Sequence, residues 1–212
     1  FSPAARFGPT PRLLAAWADA APGIMIHSRE DTTGALLRDV AHGRLDLALA
    51  FCAPAETGVA VELLAAEPAV LHVRDDHPLA ARDHVSLGDL RDEVLLVAGG
   101  GDSPGYTATV LELCRSAGVV PATVPDPYPD LGWQAVREGL GVVIYVAAAF
   151  PPQMSSTRLV PIAPTVTLPF HLAWRADNRS AALEAVLSAA RAVCGSARER
   201  RHGGGTGAPS RP

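Results

Sequence analysis

Apolar positions along the first fifty residues switch repeatedly between helical and strand-like spacing. Thr10-Pro11 suits the start of a helix, because threonine caps and proline fits the first helical position. Residues 24–28 then alternate as a strand, and residues 31–33 offer the cap of a second helix that Gly43 ends. Residues 45–51 are an apolar run of strand length. This order predicts a parallel sheet with right-handed crossovers.

The same order of elements recurs further along the chain. A strand is predicted at 69–73, and the polar segment 74–78 then leads into a second lobe. In that lobe we expect strands at 94–98, 119–124 and 142–145, and helices at 107–117 and 130–138.

After Phe150 the chain is predicted to return to the first lobe, through a strand at 167–175 and a final helix capped by Asn178 or Ser180. Because the chain leaves the first lobe once and returns to it once, two strands form a hinge, and a cleft lies between the lobes. Open α/β sheets bind ligands at the carboxyl ends of their strands, near helix N-termini, so the cleft is the expected binding site. Lobe one is predicted to hold residues 1–74 and 155–195, and lobe two residues 75–154.

The two ends of the chain differ from the rest. Phe1-Ser2-Pro3 resembles the last residue of a strand followed by a loop, which predicts that further chain precedes it. Residues 196–212 are rich in glycine, arginine and proline and lack apolar periodicity, so a disordered tail is predicted there.

Composition narrows the class of protein. The 212 residues are 48% hydrophobic and 19% charged, with a net charge of −4, a pI near 6.0 and a mean hydropathy of +0.16. This is ample material for one large or two small domains. The acidic balance disfavours a free-standing nucleic-acid binder. No apolar run reaches the roughly 18 residues that a membrane-spanning helix needs, so no membrane partner is expected.

The residues that most often carry chemistry form no recognisable motif. Cys52, Cys114 and Cys194 are far apart and odd in number, which favours buried thiols in a reducing cytoplasm over disulfides or zinc. The seven histidines show no metal-ligand spacing, and no G-x-S-x-G elbow is present. We therefore expect neither a cofactor, nor a metal, nor enzymatic activity.

Five segments, in this order, resemble the effector domain of bacterial LysR-type transcription regulators. Each is weak alone, but together they span roughly residues 1–194. They are Ala41–Leu49 (AHGRLDLAL), Asp76–Ala80 (DHPLA), Val85–Leu90 (VSLGDL), Glu138–Val142 (EGLGV) and Leu168–Arg175 (LPFHLAWR).

The resemblance implies two Rossmann-like lobes of the type 2 periplasmic-binding-protein kind. It also implies a small-molecule effector in the cleft, such as a carboxylate or an aromatic acid, and a dimer or tetramer. DNA would be bound only through an N-terminal winged helix-turn-helix, which this chain does not contain. One departure is Val146, which stands where the family usually has proline.

Several hydroxyl groups are predicted to bind the effector. The resemblance places Thr32 and Thr33 at the helix start that holds it, where free backbone N–H groups suit a carboxylate; the simpler interpretation is that Thr32 only caps its helix. Ser2 faces the same crevice in the family's geometry. Ser103, in the glycine-rich turn before a helix, is the contact that the resemblance favours in lobe two.

Aromatic and charged residues complete the predicted site. Tyr106, Tyr128 and Tyr145 all fall at element ends of lobe two, which suits an aromatic ligand, although packing between lobes is an alternative. Phe51 is predicted to form an apolar wall. Asp130 is expected to cap its helix first and to meet a ligand second. The remaining candidates are the possible carboxylate partners Arg6 and Arg29.

Two other functions are compatible with this fold, because fold alone does not settle function. A solute-binding module would require export, against which the cysteine count argues. An enzyme would require a paired acid and base in the cleft, and the sequence offers no convincing pair.

Overall fold

A computed structural model describes residues 1–99, 103–128, 132–150 and 155–203. No helix in these ranges combines the length and apolar character that crossing a membrane requires. The helices are α1 (Pro9–Ala20), α2 (Thr33–Ala41), α3 (Pro104–Ser116), α4 (Gly132–Arg137) and α5 (Ala181–Gly203). The strands are β1 (Leu47–Phe51), β2 (Val59–Arg74), β3 (Val94–Val97), β4 (Ala122–Pro125), β5 (Val143–Val146), β6 (Thr157–Pro161) and β7 (Thr167–Arg175).

The strand β2 takes part in both lobes. Its first part, Val59 to Pro68, pairs with β7, which pairs on its other edge with β1. Its last part, from Ala69 to Arg74, pairs with β5 and β6. One continuous strand of 16 residues therefore carries the chain from one lobe into the other.

The strand pairings correct the prediction of a parallel sheet. All pairings among β1, β7, β2, β5 and β6 are antiparallel rather than parallel. The reason is that β2 leaves lobe one while β7 returns to it, so the two strands run in opposite directions side by side. In addition, β6 pairs with the edge of β2 opposite β5.

Lobe two follows its predicted pattern more closely. The strands β3 and β4 are parallel and are joined through α3, as a βαβ unit requires. A parallel bridge between Leu95 and Val142 links this pair to the start of β5.

Two further segments differ from the prediction. Residues 24–28 form no strand, and Met25 is 78% exposed. Helix α5 continues to Gly203, so the disordered tail does not begin at residue 196. Alanine, glutamate and arginine between residues 197 and 201 are strong helix formers, and this local preference outweighs the lack of apolar periodicity. Residues 204–212 lie outside the described ranges.

The apolar core is continuous across the lobes. It includes Leu13 of α1, Leu71 of β2, Ile144 of β5 and Phe170 of β7, each fully buried. In lobe one, the Trp17 indole donates a hydrogen bond of 3.0 Å to the carbonyl of Val186, which joins α1 to α5. The largest cluster is therefore shared by the lobes, and each lobe adds a smaller cluster of its own.

The Val85–Leu90 segment contains a capping box formed by Ser86 and Asp89. The Asp89 carboxylate accepts from the Ser86 amide at 2.7 Å and from the Ser86 hydroxyl at 2.8 Å. It also accepts from Arg82 at 2.7 Å. These hydrogen bonds, chiefly that from the Ser86 amide, lower the pKa of Asp89 to about 2.

We predict that Asp89→Asn lowers the free energy of unfolding by on the order of 2 kcal/mol at neutral pH. Because the pKa of Asp89 is depressed in the folded state, the wild-type advantage is full above the unfolded pKa of about 4 and disappears as the pH falls towards 2. Urea denaturation between pH 7 and pH 2 measures it. The exposed Asp92→Asn is the control, and equal losses in the two variants would contradict the prediction.

The two lobes touch backbone to backbone where β1 ends. Cys52 has a positive φ of 51°, which turns its carbonyl towards the first turn of α3. A β-carbon built on Gly105 would lie 2.0 Å from the Cys52 carbonyl oxygen and 2.9 Å from Cδ of Pro54. Only glycine fits at position 105 without moving one lobe away from the other.

We predict that Gly105→Ala lowers the free energy of unfolding by about 1–3 kcal/mol, as overpacking against rigid backbone does. The matched control is Gly195→Ala, also within a helix, where an added β-carbon meets nothing within 4 Å. That change should be neutral or stabilising by up to about 1 kcal/mol. Thermal and urea denaturation measure the stability of both variants. If Gly105→Ala were as stable as the wild type, the backbone at this contact would move easily and the prediction would be wrong.

Candidate functional site

A cavity of about 150 Å³ lies between the lobes, beside the contact between Cys52 and Gly105. Lobe one supplies the N-terminal segment from Ser2 to Phe7 and the start of α2. Lobe two supplies the end of β3, the start of α3, β5 and the turn that follows β5. Pockets that bind small molecules usually have volumes of roughly 300 Å³ or more. Because this cavity is smaller, it suits a small ligand, about the size of one substituted ring.

One part of the cavity lining carries hydroxyl groups, from Ser2 near the N-terminus and from the start of α2. The Thr32 hydroxyl accepts from the Ala35 amide at 3.3 Å, so Thr32 does cap its helix. Thr33 is 5% exposed and Ser2 is 3% exposed, and both line the cavity. The Ser2 hydroxyl has no hydrogen-bond partner among the described residues. A buried hydroxyl beside a helix N-terminus offers hydrogen bonds to an anionic group.

The opposite wall is aromatic. The rings of Tyr106 and Tyr145 meet edge to face at 4.9 Å, and Tyr145 meets Phe150 at 6.1 Å. The Tyr106 hydroxyl donates to the carbonyl of Ile144 at 2.8 Å, which fixes its ring. Burial raises the pKa of both tyrosines, so their phenols stay neutral. This wall can stack on or enclose a planar apolar group.

The aromatic wall continues into the strand that joins the lobes. The Phe150 ring lies 4.5 Å from that of His72, a fully buried residue of β2. Neither His72 nitrogen has a partner among the described residues. Burial lowers the pKa of His72 to about 4, so the imidazole is neutral at physiological pH and acts as an aromatic packing group.

Two ionisable groups at the cavity bear on the charge of a ligand. Arg6 is paired with Glu30 through its Nε at 2.6 Å and through its terminal nitrogen, so its charge is already compensated. Asp126 follows β4, and its carboxylate accepts from the Tyr128 amide at 2.8 Å. Burial nevertheless raises the pKa of Asp126 above its usual range, which indicates that a negative charge is disfavoured there.

Six of the nine predicted contact residues line the cavity: Ser2, Thr32, Thr33, Ser103, Tyr106 and Tyr145. Phe51 instead packs against Phe170 in the core at 4.9 Å. Tyr128 turns its hydroxyl towards Glu138, at 3.0 Å, and is not among the lining residues. Asp130 lies outside the described residues. Of the two arginines, Arg6 lines the cavity, whereas Arg29 pairs with Asp39 elsewhere.

Several lining residues were not anticipated from the sequence: Phe7, Leu96, Val97, Asp126, Trp133, Val143 and Phe150. Six of the seven are apolar, and nothing in their spacing along the sequence separates them from core positions. Asp126 had a detectable signal, because a lone acidic residue directly after a strand lies at the edge where such sheets bind ligands.

Comparisons with known proteins agree with this architecture. The family model of the LysR substrate binding domain matches residues 1–195. A probable hydrogen peroxide-inducible genes activator from Mycobacterium avium is 35% identical over 152 residues, which is 70% of this chain and 48% of that protein. The regulator BenM from Acinetobacter baylyi is 25% identical over 173 residues, which is 80% of this chain and 57% of that protein. The chain spans about half the length of these relatives.

Solved structures show the same fold. The effector binding domain of a BenM variant aligns with a TM-score of 0.78 at 23% identity, covering 92% of each chain. The BenM effector binding domain with its effector benzoate aligns with a TM-score of 0.74 at 23% identity, covering 97% of this chain and 91% of that one. The CcmR regulatory domain of Synechocystis PCC6803 in complex with 2-PG aligns with a TM-score of 0.72 at 20% identity, covering 91% and 94%.

These findings confirm the predicted fold class of two lobes joined by a hinge, and they confirm the predicted family. The curated relatives are transcription regulators, in agreement with the non-enzymatic interpretation of the sequence. The chain belongs to the LysR family of transcription regulators, of which it forms the substrate-binding domain.

Proposed function

We propose that the cavity between the lobes binds a small carboxylate, of the size of a single-ring aromatic acid, and that this molecule is the effector of the regulator. The observation that carries the proposal is the buried, unpartnered Ser2 hydroxyl, which lines the cavity together with Thr32 and Thr33 at the start of α2 and with the aromatic residues Tyr145 and Phe150. The carboxylate of such a ligand would accept a hydrogen bond from the Ser2 hydroxyl, and its ring would pack against Tyr145 and Phe150.

Volume and charge support the same class of ligand. A cavity of about 150 Å³ is smaller than the roughly 300 Å³ of most small-molecule pockets, which favours a compact ligand. The Arg6 guanidinium is paired with Glu30. The hydroxyl groups that line the cavity and the backbone N–H groups at the N-terminus of α2 would therefore supply most of the attraction for an anion. The BenM domain, which shares this fold, is described with benzoate as its effector.

In the longer regulator we propose that the ligand stabilises one arrangement of the two lobes. Coupling between ligand and DNA then needs only a preference of about 1–3 kcal/mol for that arrangement. DNA would be bound by a separate N-terminal domain, and subunits would pair as a cytoplasmic dimer or tetramer. The full-length CbnR structure with its target DNA, which has the same fold, supports this assignment.

We predict that a small carboxylate such as benzoate raises the melting temperature of this domain. At 100 times its Kd a ligand adds about 2.7 kcal/mol, which corresponds to a rise of roughly 5–10 °C for a chain of this size. The shift should be lost in Thr33→Val and Ser2→Ala, which remove the cavity hydroxyls. Differential scanning fluorimetry with a panel of aliphatic and aromatic acids measures it.

The control for these variants is Thr123→Val, an exposed residue of β4 away from the cavity. It should keep the full shift. A ligand-induced shift that persists in Thr33→Val and Ser2→Ala would place the binding site elsewhere. A panel without any shift would reject the carboxylate class.

We also predict that carboxylate binding depends on the ionisation of Asp126. Since burial raises the pKa of Asp126 in the folded chain, lowering the pH towards that pKa removes a charge that repels an anion. Wild-type affinity should therefore rise as the pH falls from neutral towards that pKa, whereas Asp126→Asn should bind more tightly at pH 7 and lose this dependence. Isothermal titration at three pH values measures it, and parallel pH profiles would contradict the prediction.

A further inference from the structure

The two lobes line the effector cavity with polar groups of different chemistry. Lobe one contributes the hydroxyl groups of Ser2, Thr32 and Thr33, which can donate to an anion. Lobe two contributes a carboxylate, because Asp126 lines the cavity directly after β4. Among the described lining residues Asp126 is the only acid. A ligand whose single polar group is a carboxylate would engage lobe one and leave Asp126 without a partner.

The Asp126 carboxylate is held by the backbone and still has one oxygen to offer. Its Oδ1 accepts from the Tyr128 amide at 2.8 Å. The Asp126 amide donates to the carbonyl of Val97 at 2.8 Å, which fixes the residue at the end of the strand pair β3 and β4. Within the described ranges Oδ2 takes part in no hydrogen bond or ion pair. A hydrogen-bond acceptor at a fixed position is therefore available to a ligand.

No cation of the described residues compensates the charge of Asp126. Arg6, the one basic residue among those that line the cavity in the described ranges, is paired with Glu30. Burial raises the pKa of Asp126, and no ion pair within the described chain offsets that cost. A hydrogen-bond donor on a ligand would stabilise the ionised carboxylate in the way that a protein donor does.

Tyr145 is a second polar residue on the lobe-two side of the cavity. Its ring contacts those of Tyr106 and Phe150, but its hydroxyl has no hydrogen-bond partner among the described residues. The Tyr106 hydroxyl, in contrast, is bonded to the carbonyl of Ile144. After burial, the nearness of Tyr145 and of Asp126 contributes to the raised pKa of Tyr106, so these three side chains share one region.

We infer, on the basis of the carboxylate site proposed above, that the effector is a hydroxy-carboxylic acid whose hydroxyl group donates a hydrogen bond to Asp126. The carboxylate of this molecule would be bound by the hydroxyl and backbone N–H groups of lobe one, and its hydroxyl group by lobe two. Because it is hydrogen-bonded to both lobes, its affinity depends on how the lobes are arranged, which is the property that an effector needs.

A hydroxyl group suits Asp126 better than an ammonium group does. One O–H donor matches the one free carboxylate oxygen, whereas an ammonium group brings three N–H donors. The rest of the lobe-two lining is largely apolar and includes Leu96, Val97 and Val143. Donors that are buried there without partners would weaken binding.

The test compares meta- and para-hydroxybenzoate with the corresponding fluorobenzoates, whose fluorine atom cannot donate a hydrogen bond. Isothermal titration at pH 7 gives the Kd of each acid. We expect wild-type protein to bind at least one hydroxy acid about tenfold or more tightly than its fluoro analogue, because a site that hydrogen-bonds a hydroxyl group rejects an analogue without it.

The variant Asp126→Asn keeps an oxygen for the Tyr128 amide but replaces a charged acceptor by a neutral one. The preference for the hydroxy acid should therefore fall to about threefold or less. The single substitution should weaken binding of the hydroxy acid and strengthen binding of the fluoro acid, since it also removes a charge that repels an anion. The matched control Asp92→Asn, which removes an exposed carboxylate of the same lobe, should leave the preference unchanged.

The other outcomes separate the ligand class from the site. Binding of the fluoro acids without any preference for a hydroxyl group would overturn the hydroxy-acid assignment and leave the carboxylate site standing. A preference that survives in Asp126→Asn and disappears in Tyr145→Phe would also overturn it, because the hydroxyl group would then bind to the tyrosine. Tighter binding of para-(aminomethyl)benzoate than of either hydroxy acid would point to an ammonium ligand instead. If none of these acids binds, the carboxylate site is rejected as well.

Discussion

The whole structure depends on the pairing of β2, the strand that both lobes share. Its first part is held by β7 and its last part by β5 and β6, so movement of one lobe against the other has to bend this strand or its partner. The irregular register between Leu63 and Ala65 lies within the half that pairs with β7. Bulges bend strands and increase their twist, and this irregularity is therefore the natural place for such bending.

Packing connects this shared strand to the cavity. His72 lies within the part of β2 that pairs with β5, and its ring rests on Phe150, which lines the cavity and contacts Tyr145. A ligand that displaces these rings therefore acts directly on the strand between the lobes. Discrete rearrangement of packed rings is a physical means of coupling, because dense cores switch between arrangements rather than deform continuously.

The parts of this fold that could be predicted are those decided by local sequence. The helix starts at Thr32 and Ser180 follow from capping hydroxyls, which the structure shows accepting from Ala35 and Leu183. Strand direction could not be predicted, since it depends on how the chain returns through β7. Apolar spacing also could not separate cavity from core: Phe51 and Phe150 look alike in sequence, yet only Phe150 lines the cavity.

The contact between Gly105 and the Cys52 carbonyl has a consequence for how such a domain diversifies. Because two backbones meet there, even the smallest side chain at position 105 would force the lobes apart, so replacements there cannot adjust their spacing in small steps. New ligand preferences are then expected to arise by exchanging side chains that line the cavity, such as Leu96 and Val143. Related sensors that keep this contact between the lobes are expected to differ in the side chains that line the cavity rather than in the backbone spacing at the contact.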